Sequence, residues 1–196
     1  MVVPTFSSSF SKSVIEQFFS CHSTLPLYRD SLWRIEQGAV RTVTWDEEGT
    51  IRTLGYWGTA DVVGRPLSRL NIYEIQCLTD VRASLLSYAL WSQAVETITY
   101  IQQIQQTEEF LSITSCNQAK QKLWLFLVFL AQKFGRNVER GRWIGLKLTH
   151  QQLGEGVNLS RVTVTILLGE FEAEGKLIRL PQKQLILPYS QGRFLN

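Results

Sequence analysis

The chain is poor in metal ligands. Its 3 cysteines, Cys21, Cys77 and Cys116, stand far apart, no CxxC pair occurs, and His22 and His150 are the only histidines. A structural zinc site or an iron–sulfur cluster needs about four soft ligands, usually in close pairs, so neither is expected, and the thiols read as buried and free. No phosphate-cradling glycine motif occurs, and neither histidine belongs to a constellation of nucleophile and carboxylate. The chain is therefore not expected to be an enzyme or to carry a cofactor. Long apolar runs are also missing. Leu123 to Ala131 is too short for a membrane span, which needs about 20 residues. The opening residues, MVVPTFSSSFSKS, have neither the basic start nor the apolar core of a signal peptide. The expected location is the cytoplasm, without a membrane partner. Glycine and proline are absent between Pro66 and Gly135, which leaves room for long uninterrupted elements.

What is present is ordinary in amount and uneven in arrangement. A hydrophobic content of 44% and a charged content of 19% suit a globular protein, and 196 residues allow one large domain or two small ones. Residues 1–116 hold 8 Lys/Arg against 12 Asp/Glu, a net −4, and residues 117–196 hold 12 against 5, a net +7. A basic C-terminal part behind an acidic N-terminal part suits a nucleic-acid-binding domain carried by a regulatory one.

Local patterns divide the chain further. Ser13 to Phe19 is predicted as a short amphipathic helix. Ser31 to Thr44, around Gly38, reads as strand, turn and strand. Asp46 to Gly49 is a polar turn, Arg52 to Tyr56 resumes strand-like sequence, and Glu74 to Leu86 is rich in Ile, Leu and Val. Short strands between turns predict a compact β-roll or barrel. From Ala89 to Cys116 the pattern predicts one long helix. Ile98, Ile101, Ile104 and Leu111 form its apolar stripe, free to pack on the roll or on a second copy of itself. Gln118 to Phe134 is a second, more apolar helix that Gly135 ends. A basic hairpin around Arg140–Gly141 follows. The fold class is α+β, with residues 1–88 as roll, 89–116 as long helix and 117–196 as a basic C-terminal domain.

Leu148 to Leu187 carries the chemistry. Thr149 sits at an N-cap with Gln152 as its capping-box partner. Leu153 and Val157 face a core, Gly154 is a point of close approach, and Asn158 tolerates a left-handed turn. Ser160 caps a second helix whose Val164, Leu167 and Leu168 point inward at helical spacing. Two strands around Pro181-Gln182-Lys183 form a wing. The sum is a winged helix-turn-helix, which places one helix in the DNA major groove. The DNA-facing set is Thr149, Gln151, Ser160, Arg161, Val162, Thr163, Thr165, Ile166 and Lys183. Arg161 suits both acceptors of a guanine; Val162 and Ile166 can meet only a thymine methyl. Ser160, Thr163 and Thr165 suit phosphate or base contacts, and Lys183 suits a phosphate.

Roll, long helix and winged helix-turn-helix, in that order, resemble the Crp/Fnr superfamily of transcription regulators. LTHQQLGEGVNLSRVTVTILLGEF, with its RVTVT core, is similar to the helix-turn-helix of the cyanobacterial nitrogen-control branch. LWRIEQGAVRTV, DEEG and Gly64 echo the strands of the family's cyclic-nucleotide-binding-like jelly roll, here shortened. The likeness runs from about Leu32 to Leu187. It implies a homodimer joined along the long helix, bound to a palindromic site in double-stranded DNA, with RNA polymerase as a candidate further partner.

The departures bear on the effector. Where the family repeats an arginine one turn after Arg161, this chain has Ile166. The Gly-Glu and Arg-Ser pairs that grip a cyclic nucleotide become Gly64-Arg65 and Asn71-Ile72. The two arginines that hold 2-oxoglutarate in the nitrogen branch match Asn71 and Gln103, while Glu108 remains. Without a cation an anionic ligand loses its charge-assisted anchors, so a regulator with neither effector is expected, although Arg65 and Arg69 lie near. The front of the roll, His22 to Leu32, is short, and the cysteine-rich iron–sulfur site of the oxygen-sensing branch is absent. Two other readings stand beside this one. The first is a regulator gated by an unrecognised effector such as haem, another anion or a redox signal at Cys77 or Cys116. The second is a protein-interaction module with a vestigial winged helix.

Overall fold

Ser31 to Trp45 crosses from one sheet to another. In the computed structural model, described over residues 15–87 and 95–189, β2 (Ser31–Gln37) ends at Gly38 and β3 (Val40–Trp45) begins in a different sheet. Gly38 makes the corner at φ +96°, and a Cβ there would lie 2.3 Å from the Asp80 carbonyl oxygen. Only glycine fits that backbone approach.

β1 (Ile15–Phe19), β7 (Val81–Ser87), β2 and β5 (Val62–Val63) make the first sheet in that order. β4 (Ile51–Trp57), β3 and β6 (Glu74–Cys77) make the second. Their inner faces share a core built on Trp33, Ile35, Val40, Ile75, Cys77, Val81 and Ala83. Val81 and Ala83 of β7 turn into this core and Leu85 packs against it, at the two-residue period of a strand, while Ser84 and Leu86 are buried as well.

One expected element changes type. Ile15–Phe19 is a strand and not the amphipathic helix that SVIEQFF suggests; Ser13 and Val14 lie outside the described residues. β1 pairs antiparallel with β7, Ile15 opposite Leu85 and Phe19 opposite Val81. Its Ile15 and Phe18 are exposed, so their spacing is not a core stripe. A partner strand more than sixty residues away supplies the missing hydrogen bonds and overrides the local pattern.

Within the stretch 89–116, residues 89–94 lie outside the described residues and Glu96 is extended at the cap. Helix α1 spans Thr97–Ser115. Its buried face is Gln103, Phe110 and Ile113, not the isoleucine stripe. The amide of Gln103 donates to the Val62 carbonyl at 2.6 Å, and that of Gln106 to the Tyr56 carbonyl at 2.5 Å. Ile98, Ile101, Ile104 and Leu111 are all exposed.

Helix α2 (Ala119–Phe134) buries Leu123, Phe126, Leu127, Leu130 and Ala131, a wide stripe at helical spacing. It leads into β8 (Gly135–Val138), β9 (Gly141–Ile144), α3 (His150–Val157), α4 (Arg161–Ala173), β10 (Ile178–Leu180) and β11 (Gln184–Leu187). The last sheet runs β10-β11-β9-β8. The C-terminal core extends into the roll through Ala39, Tyr56 and Leu78. The buried Tyr56 ring lies 5.7 Å from Phe110 and 5.4 Å from Phe126, centroid to centroid. Lys133 of α2 binds the Asp61 carboxylate of the roll at 2.6 Å and also the Gln106 amide oxygen of α1. Roll, long helix and C-terminal domain are thus packed on one another.

Candidate nucleic-acid interface

The local chemistry read from the sequence forms as written. Thr149 Oγ1 accepts from the Gln152 backbone N–H at 3.0 Å, and Gln152 Oε1 accepts from the Thr149 N–H at 2.9 Å. This reciprocal capping box starts α3. Asn158 stops it in the left-handed region at φ 55°, ψ 47°. The Leu159 N–H then donates to the Gly154 carbonyl at 3.0 Å, and a Cβ on Gly154 would meet the Leu159 carbonyl oxygen at 2.3 Å. Ser160 Oγ caps α4 by accepting from the Thr163 N–H at 3.0 Å. Val164, Leu167 and Leu168 are buried beneath it.

Burial on one side of α4 fixes what the other side presents. Arg161, Val162, Thr165 and Ile166 are exposed, and Thr163 is half-buried beside the Ser160 cap. Val162 and Ile166 are 67% and 58% exposed, and, one turn apart, they share one apolar patch on this helix face. The wing stands beside this surface. β10 pairs with β11 and β11 with β9, and Gln182 and Lys183 make the tip with positive φ. A groove of about 500 Å³ is lined by Thr149, His150, Gln151, Arg161 and Lys183. The structure therefore brings Thr149, Gln151, Arg161 and Lys183 to one groove, with Val162, Thr165 and Ile166 on the adjoining helix face.

His150 belongs to this group, and pattern reading missed it. Its Nδ1 lies 2.8 Å from Thr165 Oγ1. Partial burial, then the charges of Arg179, Arg161 and Lys183, hold its pKa below the ordinary imidazole value. Its place just after the cap was visible; its contact with a residue fifteen positions on depends on how α3 crosses α4.

The six expected effector positions are scattered. A largely apolar cavity of about 900 Å³ lies between roll and α1, and its wall includes Trp57, Val62, Leu67, Arg69, Leu70, Tyr73, Gln103 and Glu108. Only Gln103 and Glu108 of the six belong to that wall. Gly64 packs against Ser31 and Leu32. The Arg65 guanidinium donates to the Leu70 carbonyl. Asn71 and Ile72 are exposed on the surface. Burial pushes the Tyr73 hydroxyl up to about 12. Among the described residues no three His, Cys, Asp or Glu side chains are grouped to hold a metal ion, and no helix is long and apolar enough to cross a membrane.

Fold and surface together define the class: a β-roll joined through a long helix to a winged helix-turn-helix. Residues 121–189 match the family model of the Crp-like helix-turn-helix domain. Regulatory protein CysR of Synechococcus elongatus is 38% identical over 171 residues, 85% of this chain and 81% of that protein. The chain belongs to the Crp/Fnr family of DNA-binding transcription regulators. Its likeness to the global nitrogen regulator of Synechocystis sp. is 37% but is confined to 82 residues, 42% of this chain and 36% of that one. A CRP-family transcriptional regulator from Thermus thermophilus shares the fold with a TM-score of 0.74 at 17% identity, over 88% of this chain and 91% of that chain.

Proposed function

We propose that the chain acts in the cytoplasm as a homodimer on a palindromic DNA site, reading bases with α4, and that its roll takes neither a cyclic nucleotide nor 2-oxoglutarate. The observation that carries the DNA reading is the exposed N-terminal face of α4, flanked by the groove of Thr149, Gln151, Arg161 and Lys183. Arg161 suits a guanine edge, Val162 and Ile166 suit thymine methyls, and Ser160, Thr163, Thr165 and Lys183 serve phosphate or base contacts. The unpartnered stripe Ile98, Ile101, Ile104 and Leu111 supports pairing along α1. Two recognition helices then enter successive major grooves about one turn apart. At a promoter such a dimer is a neighbour for RNA polymerase.

The effector reading rests on what stands at the expected anchor positions. Gln103 is an uncharged amide that donates to Val62, and Asn71 is exposed and outside the cavity wall, so neither supplies the cation that would hold an anionic ligand. The apolar cavity favours a second reading, in which an uncharged ligand gates the protein. One experiment separates them. Duplexes are selected from a random library by the purified protein, and affinity is measured with no addition, with a cyclic nucleotide and with 2-oxoglutarate. Tight specific binding that ignores both additives supports the first reading. A response to either additive overturns it, and weak binding restored by an apolar extract fraction supports the second.

A further inference from the structure

His150 sits at the start of α3 and lines the groove with Arg161 and Lys183. Thr165 Oγ1 donates its one proton to the Arg161 carbonyl at 2.9 Å. It therefore accepts at its contact with His150, and Nδ1 of the imidazole is the donor. A neutral ring held this way keeps its lone pair on Nε2. Protonation at Nε2 leaves the Thr165 contact intact, because both ring nitrogens of the cation donate. The ring can thus change charge without moving.

The charges that bear on its ionisation are all positive. Arg161 comes from α4, Arg179 from β10 and Lys183 from the wing tip. Arg179 is itself paired with Glu172 of α4. These charges and partial burial disfavour the imidazolium while the groove is empty. A DNA phosphate in the groove reverses the balance. It brings an anion that offsets the cations and an acceptor for an Nε2 proton.

We propose that His150 is a proton-linked DNA contact, which takes up a proton from solvent as a backbone phosphate enters the groove and donates from Nε2 to that phosphate. This rests on the DNA-binding reading above. The sign follows from linkage. The imidazole pKa is lowered in the free protein and raised in the complex. Affinity therefore rises as pH falls from the bound value toward the free value, and levels off below the free value. One whole proton taken up per protomer corresponds to about tenfold in affinity per pH unit for each half-site, and so about a hundredfold for the homodimer on its full site.

The test uses a duplex selected from a random library by the wild-type protein at about pH 8, where imidazole is neutral. Fluorescence anisotropy at constant ionic strength follows its affinity from about pH 8.5 down to about pH 5.5, across the range where histidine titrates. Wild type is expected to tighten toward acid. His150→Gln is expected to give a flat profile, and His22→Gln, altered in the roll, to keep the wild-type slope. Titration calorimetry in buffers of different ionisation enthalpy is expected to show proton uptake in wild type that His150→Gln loses. Equal slopes in wild type and His150→Gln, with specific binding retained, overturn this proposal alone. Absence of specific binding at every pH overturns the DNA-binding reading as well.

Discussion

Arg41 and Glu155 are 114 positions apart, yet the guanidinium of one meets the carboxylate of the other at 2.7 Å. Arg41 lies on β3 of the roll and Glu155 on α3, and their side chains are only 6% and 13% exposed. Gln76 of β6 takes the Arg41 Nε–H at 2.9 Å, and Gln151 donates to the other Glu155 oxygen at 3.1 Å. A buried, hydrogen-bonded ion pair thus ties the roll to the first helix of the DNA-reading unit.

Removing one partner strands the other charge. Glu155→Ala is expected to lower unfolding stability by about 3–5 kcal/mol, the usual cost of an orphaned buried charge. Replacing both partners by apolar residues, Arg41→Met with Glu155→Leu, is expected to recover most of it. Urea denaturation of the wild type and the two variants checks both statements. A Glu155→Ala loss below about 1 kcal/mol, the range of exposed pairs, would contradict them.

On α4 and at the wing tip, substitutions divide by what they touch. Arg161→Ala is expected to cost about 1–3 kcal/mol of discrimination at one base pair of each half-site. Lys183→Ala is expected to weaken all sequences alike and to reduce the salt dependence by about one unit in the log–log slope per half-site. Ile166→Arg is expected to shift base preference toward guanine at the position it reaches. Binding to duplex libraries at two salt concentrations measures all three.

Ile104 and Leu111 are 68% and 63% exposed in the single chain. The double variant Ile104→Glu, Leu111→Glu therefore leaves the protomer's own core untouched and charges the exposed stripe, together with the rim of the cavity between roll and α1 that both residues line. Light scattering is expected to report a monomer with a wild-type circular dichroism spectrum. A full palindrome then loses its advantage over a half-site. A dimer unchanged by both charges rules out association along this face.

Cys77 is buried, and burial pushes its thiol up from the ordinary value. The thiolate is the reactive form, so Cys77 is expected to resist a disulfide reagent in the native protein. Cys21 and Cys116, both half-buried, are expected to react first. Mass spectrometry after short labelling distinguishes the three sites. Labelling of Cys77 ahead of the others reopens it as a redox sensor.

The legible parts of the sequence were those fixed by neighbours in the chain. Thr149 with Gln152, Asn158, and Ser160 with Thr163 are satisfied within four residues, so residue type and spacing were enough. The inward set Val164, Leu167 and Leu168 followed from helical period alone. The apolar stripe of α1 was visible, but its direction was not. The face that meets the roll carries Gln103 and Gln106, whose amides reach the Val62 and Tyr56 carbonyls and hide a buried surface behind polar letters. Ile15–Phe19 failed because pairing with β7 decides it. Arg41–Glu155 and His150–Thr165 were beyond reach for one reason: each joins two elements whose relative pose is set by the whole fold.

The two glutamine amides of α1 have a consequence for control in the cell. They fasten the long helix to the roll with the chain's own atoms. A bolt that is part of the door needs no key. If the roll takes no effector at all, the output of this regulator follows its copy number and the proton-linked affinity at His150, and the timing of its action is written in the promoter and turnover of its own gene.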